Sequence, residues 1–303
     1  MSANVAANNE AFSTWTRAMQ SRIETVLDQH MPTDKIIPAS LHAAMRYATL
    51  GGGKRVRALL AYAAASFCSA DSKKVDAAAA AVELIHAFSL VHDDMPCMDD
   101  DDLRRGKPST HKQYGDATAL LVGDALQSLA FQLVAQDTHI QDKQKVNILH
   151  LLAVATGSRG MAGGQAIDLE STNVALTQTE LEMMHLHKTG ALIHAATVMG
   201  AYCADDQDIE KIKAVDRFSK AIGLAFQVVD DILDAEADTQ TLGKTAGKDA
   251  DANKSTYVTI LGLNKAKALA HELHQMAIKA LSPFEQEADL LRQLANFIMH
   301  RSF

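Results

Sequence analysis

His92-Asp93-Asp94-Met95-Pro96-Cys97-Met98-Asp99-Asp100-Asp101-Asp102-Leu103-Arg104-Arg105-Gly106 places six aspartates within ten residues and follows them with two arginines. It closes an alanine-rich, helix-like run over 73–95, which Pro96 must end or kink. Far downstream, Gln227-Val228-Val229-Asp230-Asp231-Ile232-Leu233-Asp234 closes a second apolar run that starts at Ala221. Positions 230 and 234 are one helical turn apart and share a face, with Asp231 beside them. Three like charges there repel by a few tenths of a kcal/mol or more per pair, and no basic residue is interleaved. Something positive must neutralise them, and a divalent metal is the simplest candidate. A run of like charges is ordinarily a solvated loop, and Asp100 to Asp102 taken alone fit that reading equally well. Oxygen ligands in clusters suit Mg²⁺, which is held by one or two carboxylates plus the phosphates of a substrate.

Composition narrows the class. In 303 residues, 48% are hydrophobic and only 5% aromatic, with Gly 16 and Pro 5, which favours long helices over sheet and turns. A net charge of -8 argues against a nucleic-acid partner. Cys68, Cys97 and Cys203 lack metal-ligand spacing and read as reduced thiols, hence a cytoplasmic protein. The first residues show no basic start followed by an apolar core, so no secretion signal is expected. No apolar run approaches about 20 residues, so no membrane span is expected either.

Along the chain, Phe12, Trp15, Met19, Ile23, Val26 and Leu27 recur at helical spacing and predict a helix over 12–30. Pro38 opens the next, to Leu50. Gly51-Gly52-Gly53 breaks it, and Lys54-Arg55-Val56-Arg57 begins another. Glycines ahead of basic residues at a helix start can cradle a phosphate through backbone N–H groups, the helix dipole and side-chain cations, although a glycine run is more often only a turn. Further helices are predicted over 116–136, over 146–170 with breaks at Gly157, Gly160, Gly163 and Gly164, and from a Thr177/Glu180 capping box to Tyr202. Gly190 inside that last helix, beside Lys188 and Thr189, suggests a kink or a close backbone approach. Asp216 to Ala235 carries the second acidic cluster, 239–255 reads as a polar loop, and two terminal helices follow over 264–281 and 284–301. With no strand alternation and no linker, the expectation is one all-α domain, 1–303, of about ten helices around a central cavity, too many for a four-helix bundle.

The set of motifs resembles the short-chain trans-prenyltransferases (polyprenyl synthases), and among them the bacterial farnesyl diphosphate synthases. It rests on Asp93-Asp94-(four residues)-Asp99 with Arg104-Arg105-Gly106, on Asp230-Asp231-Ile232-Leu233-Asp234 preceded by Gln227, and on Gly53-Lys54-Arg55-Val56-Arg57, Lys188-Thr189-Gly190, Leu242-Gly243-Lys244 and Lys254-Ser255-Thr256-Tyr257. The resemblance covers the chain from about residue 40 to its end. Ala58 departs from it, since proline is usual there. The resemblance implies that Asp93, Asp99 and Asp230 bind three Mg²⁺ per site, with Asp94, Asp231 and Asp234 supporting them. Arg104, Lys188, Thr189, Gln227 and Lys244 would contact an allylic diphosphate, and Lys254 would close over it. Gly53, Lys54, Arg57, His86 and Arg105 would hold isopentenyl diphosphate. A homodimer is implied as well.

Product length enters through Phe88 and Ser89, five and four residues before Asp93. On a helix Phe88 lies about 7.5 Å behind Asp93, where a ring would floor a cavity for a growing chain. An isolated phenylalanine is more often a core residue; the resemblance, which carries an aromatic at this position, implies a C15 product made from dimethylallyl or geranyl diphosphate. A C20 synthase of the same family is the alternative. From a different class, Glu83-x-x-His86 and Glu182-x-x-His185 have the spacing of di-iron bundles, a reading that leaves the aspartates and the basic residues unexplained.

Overall fold

The computed structural model describes the backbone of residues 2–240 and 255–300, and side chains over 10–236 and 255–300. Lys244 and Lys254 therefore lie outside the described residues. Proline, glycine and polar caps set the helix ends much as read from the sequence. α1 (Ser2–His30) stops before Pro32, and α2 (Ala39–Thr49) starts directly after Pro38. Gly51 and Gly53 take positive φ and turn the chain into α3 (Val56–Phe67). The Asp71 carboxylate accepts from the Lys73 N–H at 2.8 Å and opens α4 (Ser72–Asp93). After a two-residue ribbon, β1 (Leu103–Arg104) against β2 (Lys107–Pro108), come α5 (Thr110–Tyr114) and α6 (Asp116–Gln136). The run expected over 146–170 divides at Gly157 and Gly160 into α7 (Asp142–Thr156) and α8 (Met161–Glu170). The Thr177/Glu180 capping box opens α9 (Gln178–His185), which continues through a π turn (Leu186–Gly190) into α10 (Ala191–Tyr202). α11 (Ile209–Gln240), α12 (Tyr257–Leu261), α13 (Leu263–Ala280) and α14 (Asp289–Met299) complete the order.

Two boundaries moved for identifiable reasons. α11 begins seven residues before the expected Asp216, because the Asp208 carboxylate accepts from the N–H groups of Glu210 and Lys211 at 2.8 and 3.3 Å, a cap hidden in a polar stretch. The β1–β2 ribbon is too short to show a two-residue alternation. Its turn, Arg105-Gly106, has φ of 53° and 73°, the paired left-handed geometry of a tight hairpin.

Packing explains the apolar composition. α3 and α10 are apolar all round and form a septum between two cores. Ala58, Ala61, Tyr62 and Ala65 of α3 face one core, and Leu59, Leu60, Ala63 and Phe67 face the other. The two septum helices approach so closely that a Cβ at Gly200 would lie 2.1 Å from the Ala61 carbonyl oxygen. α4 and α6 pack together in the first core, and α11 packs against α10 and α13 in the second. By length and composition α4 and α6 could each cross a bilayer, although no apolar run that long was read from the sequence; 61% and 44% of those stretches are buried within the fold.

One ion network is buried in this frame. Arg55, in a left-handed conformation at the start of α3, turns its guanidinium inward, where it is 2% exposed. It donates to Glu24 at 2.8 Å and to Glu83 at 3.1 Å, and the other Glu83 oxygen accepts from the Ala58 N–H. Glu83 is thus committed to α3, which removes it as a di-iron ligand. Glu83→Ala would leave Arg55 paired with Glu24 alone and the Ala58 N–H without its acceptor, and a loss of about 1–3 kcal/mol is expected, read from denaturant midpoints. A loss below about 1 kcal/mol would mean that water already screens the pair.

Candidate active site

The two acidic helix ends meet across one cavity. Asp93 at the end of α4 and Asp230 on α11 both line a cleft of about 500 Å³. Beyond Pro96 the chain folds back, with the Asp99 N–H donating to the Asp93 carbonyl and the Asp101 N–H to that of Asp94. Burial, reinforced by Asp99 and Asp94 and opposed by Lys188 and Arg104, pushes the Asp93 carboxyl up to about 6. Its anion is under-neutralised, which is the condition a cation would relieve.

In both Asp-Asp pairs the first carboxylate lines the cleft and the second is tied away from it. Asp94 is 2% exposed and is gripped by the Arg104 guanidinium through Nε at 3.0 Å and through Nη2. Asp231 is 6% exposed; it accepts from the Gln227 amide at 2.9 Å and from the Tyr257 N–H at 2.8 Å. Asp234 is exposed one turn further on. Arg104 pairs with Asp94 and Asp101 and also lines a cavity beside the cleft.

A second cavity of about 360 Å³, lined by Gly53, Lys54, Arg105 and Leu233, shares the wall formed by Arg57, His86, Leu90, Phe226 and Asp230. The Arg105 side chain lies over the glycine turn and donates to the Gly52 carbonyl at 3.0 Å, while a Cβ at Gly53 would come within 3.0 Å of its guanidinium. Burial, then the charges of Arg57 and Arg105, keeps the His86 imidazole neutral, well below its usual range. In effect a mainly cationic chamber adjoins a cleft where two carboxylates meet two cations.

Lys188 and Thr189 sit on the π turn, a distortion that often marks functional sites. The turn is wedged between glycines: a Cβ at Gly164 of α8 would lie 2.1 Å from the Lys188 nitrogen, and a Cβ at Gly223 of α11 would lie 3.2 Å from the Gly190 Cα. The close approach expected at Gly190 is thus present. Lys188 reaches the Asp168 carboxylate at 2.6 Å, and the Thr189 hydroxyl donates to Gln227 at 3.1 Å. Phe88 and Ser89 line the same cleft, with the Ser89 hydroxyl turned back to the His86 carbonyl at 2.9 Å. Sequence reasoning missed Asp168 and Gln165 on α8. The Gln165 amide nitrogen is buried without a partner at the cleft wall. Gly163-Gly164 directly before them was the available signal.

Comparison with known proteins fits this geometry. The polyprenyl synthetase family model matches residues 38–296. The chain belongs to the polyprenyl synthetase family. It is 44% identical to a farnesyl diphosphate synthase of Haemophilus influenzae over 96% of this chain and 98% of that one. A geranylgeranyl pyrophosphate synthase of Capsicum annuum is 44% identical over 87% of this chain and 72% of that one. Among solved structures, an FPP/GFPP synthase of Zymomonas mobilis superposes with a TM-score of 0.85 at 38% identity, over 95% of this chain and 99% of that one. A geranylgeranyl pyrophosphate synthetase of Pyrococcus horikoshii gives 0.87 at 31% identity, over 97% and 99%. The chain is thus an all-α prenyltransferase.

The glycine wedge makes a direct prediction for a prenyltransferase. Gly164→Ala should shift the π turn and lower turnover on the order of 10²-fold, the scale of a 1 Å misplacement, with helix content unchanged by circular dichroism. Turnover within twofold of the parent would show that Lys188 is not positioned by this contact.

Proposed function

We propose that the protein joins isopentenyl diphosphate to an allylic diphosphate, head to tail, and ends at C15 farnesyl diphosphate. The observation that carries this reading is a cleft walled by Asp93 and Asp230, with Lys188 and Arg57 beside them, that shares a wall with a mainly cationic chamber. The cleft takes the allylic chain and its diphosphate; Lys54, Arg57 and Arg105 hold the other diphosphate.

The oxygen-only donor set of Asp93, Asp99 and Asp230 fits Mg²⁺. Among the described residues no three acidic, histidine or cysteine side chains converge on one point, which suits an ion completed by substrate phosphates. Bound Mg²⁺ would supply neutralisation of the charge that develops on the leaving diphosphate. Lys188 and Arg57, at the cleft wall, add fixed positive charge on the same side. Ionisation breaks the allylic C–O bond. The double bond of isopentenyl diphosphate then attacks the cation, a C–C bond forms, and a proton leaves for the departed diphosphate. Leu90, Met161, Leu169 and Phe226 wall the cleft with apolar surface that excludes water from the cation. Asp94 and Asp231 act as supports that hold the two loops in place.

Product length follows from depth. Phe88 stands one and a half turns behind Asp93 and floors the cleft against a growing tail. The small Ser89 beside it, and the similarity to a geranylgeranyl pyrophosphate synthase, keep a C20 end point as the second reading. Leu120 and Leu121 of α6, 48% and 54% exposed, give an apolar face suited to a homodimer, and a cytoplasmic location suits the three free thiols.

Incubation with isopentenyl and geranyl diphosphates plus Mg²⁺ tests the reading. Asp93→Ala and Asp230→Ala should each lose most turnover while the fold survives; near-normal turnover at saturating Mg²⁺ would overturn the metal assignment. Because the ionised Asp93 is disfavoured by burial above about pH 6, metal-free Asp93→Asn should be at least as stable as the parent at pH 7, checked by thermal denaturation in a chelator. Phe88→Ala should let C20 or longer chains accumulate; an unchanged C15 profile from an active variant would assign the floor to another residue.

A further inference from the structure

We propose that the floor of the cleft is a stack of three residues, Phe88, His92 and Gly123, and that Gly123 on α6 is a specificity-determining position for product length. The inference rests on the reading of the cleft as the site of the allylic chain. Phe88 and His92 are four residues apart on α4, so their rings share a face. The ring centroids are 4.9 Å apart at 80°, the edge-on arrangement that aromatic pairs favour. Both rings line the cleft.

What fixes His92 is a notch in the neighbouring helix. A Cβ at Gly123 would lie 2.0, 2.4 and 2.7 Å from Nε2, Cδ2 and Cε1 of the His92 ring. The same Nε2 is 3.1 Å from the Leu120 carbonyl oxygen, so the proton sits on Nε2 and donates there. Gly123 is buried within α6, and its φ lies outside the positive range that demands glycine. In a helix interior glycine costs about 1 kcal/mol relative to alanine. Backbone conformation therefore gives no reason for a glycine at 123, whereas the His92 ring does. Notch, carbonyl and Phe88 edge together hold the His92 ring in one place, and that ring in turn backs the Phe88 ring.

A methyl group at 123 cannot coexist with this arrangement. The ring would have to retreat by more than an ångström to reach ordinary contact distance and would lose the Leu120 carbonyl. The direction left open is away from α6, over Phe88 and into the cleft, which shortens it.

The experiment uses the full chain with Mg²⁺, isopentenyl diphosphate and dimethylallyl diphosphate, and chromatography of the dephosphorylated products. Gly123→Ala should raise the ratio of C10 to C15 roughly tenfold or more, the scale of a methylene-sized misfit in an apolar pocket. Gly123→Ala combined with His92→Ala should abolish that block and carry products to C15 and beyond, because the added methyl then meets no ring. His92→Ala alone should lengthen the product, and this arm decides the matter if Gly123→Ala does not fold. A general packing defect would lower the rate without this reversal of product length. An unchanged product ratio in Gly123→Ala, a block that survives removal of the His92 ring, or an unchanged length in His92→Ala would overturn the stack while leaving prenyl transfer intact. A parent protein that forms no prenyl product would overturn the functional reading itself, and the stack with it.

Discussion

Two groups of carboxylates facing each other across a cavity repel, and the scaffold must hold them there. Packed backbone and side-chain anchors hold them together. α4 and α11 are braced by the septum of α3 and α10, and the π turn is pinned between Gly164 and Gly223. Each acidic pair also gives up its second member as an anchor, Asp94 to Arg104 and Asp231 to Gln227 and Tyr257. Repulsion is thereby concentrated on Asp93 and Asp230, where a ligand can use it.

The same logic divides the basic residues. Arg55 and Arg57 are two positions apart, yet the Arg55 guanidinium is held between Glu24 and Glu83 at the edge of the cationic chamber, while Arg57 lines both cavities. Arg105 stays at the cationic chamber because its glycine neighbours leave room for it. A buried guanidinium with two carboxylates is a structural element; a guanidinium at a cavity wall can bind a substrate.

Much of this was legible in the sequence. Pro38, the glycine triplet, Pro96 and the Thr177 capping box mark helix ends by local chemistry, and local chemistry is what a sequence displays. The facing of Asp93 and Asp230 could be suspected from their charge. The tying of Asp94 and Asp231 could not, since their partners Arg104 and Tyr257 are brought in by a hairpin and a distant helix. Nothing local marks Asp168 in the sequence; the glycines before it let α8 touch the π turn, where Lys188 reaches it. Gly123 had a low helix propensity and no visible cause, because the ring that explains it belongs to α4. Lys244 and Lys254 rest on sequence alone.

The septum has one more consequence. α3 begins at Val56, beside the cationic chamber, and α10 continues from Lys188 and Thr189, beside the cleft. The two helices touch backbone to backbone at Ala61 and Gly200. Neither can slide past the other there without a collision, so their ends behave like the jaws of a locked caliper. The span between the two cavities is then a dimension of the fold, gauged by a contact of two small residues, and flexible lysines and arginines only trim it.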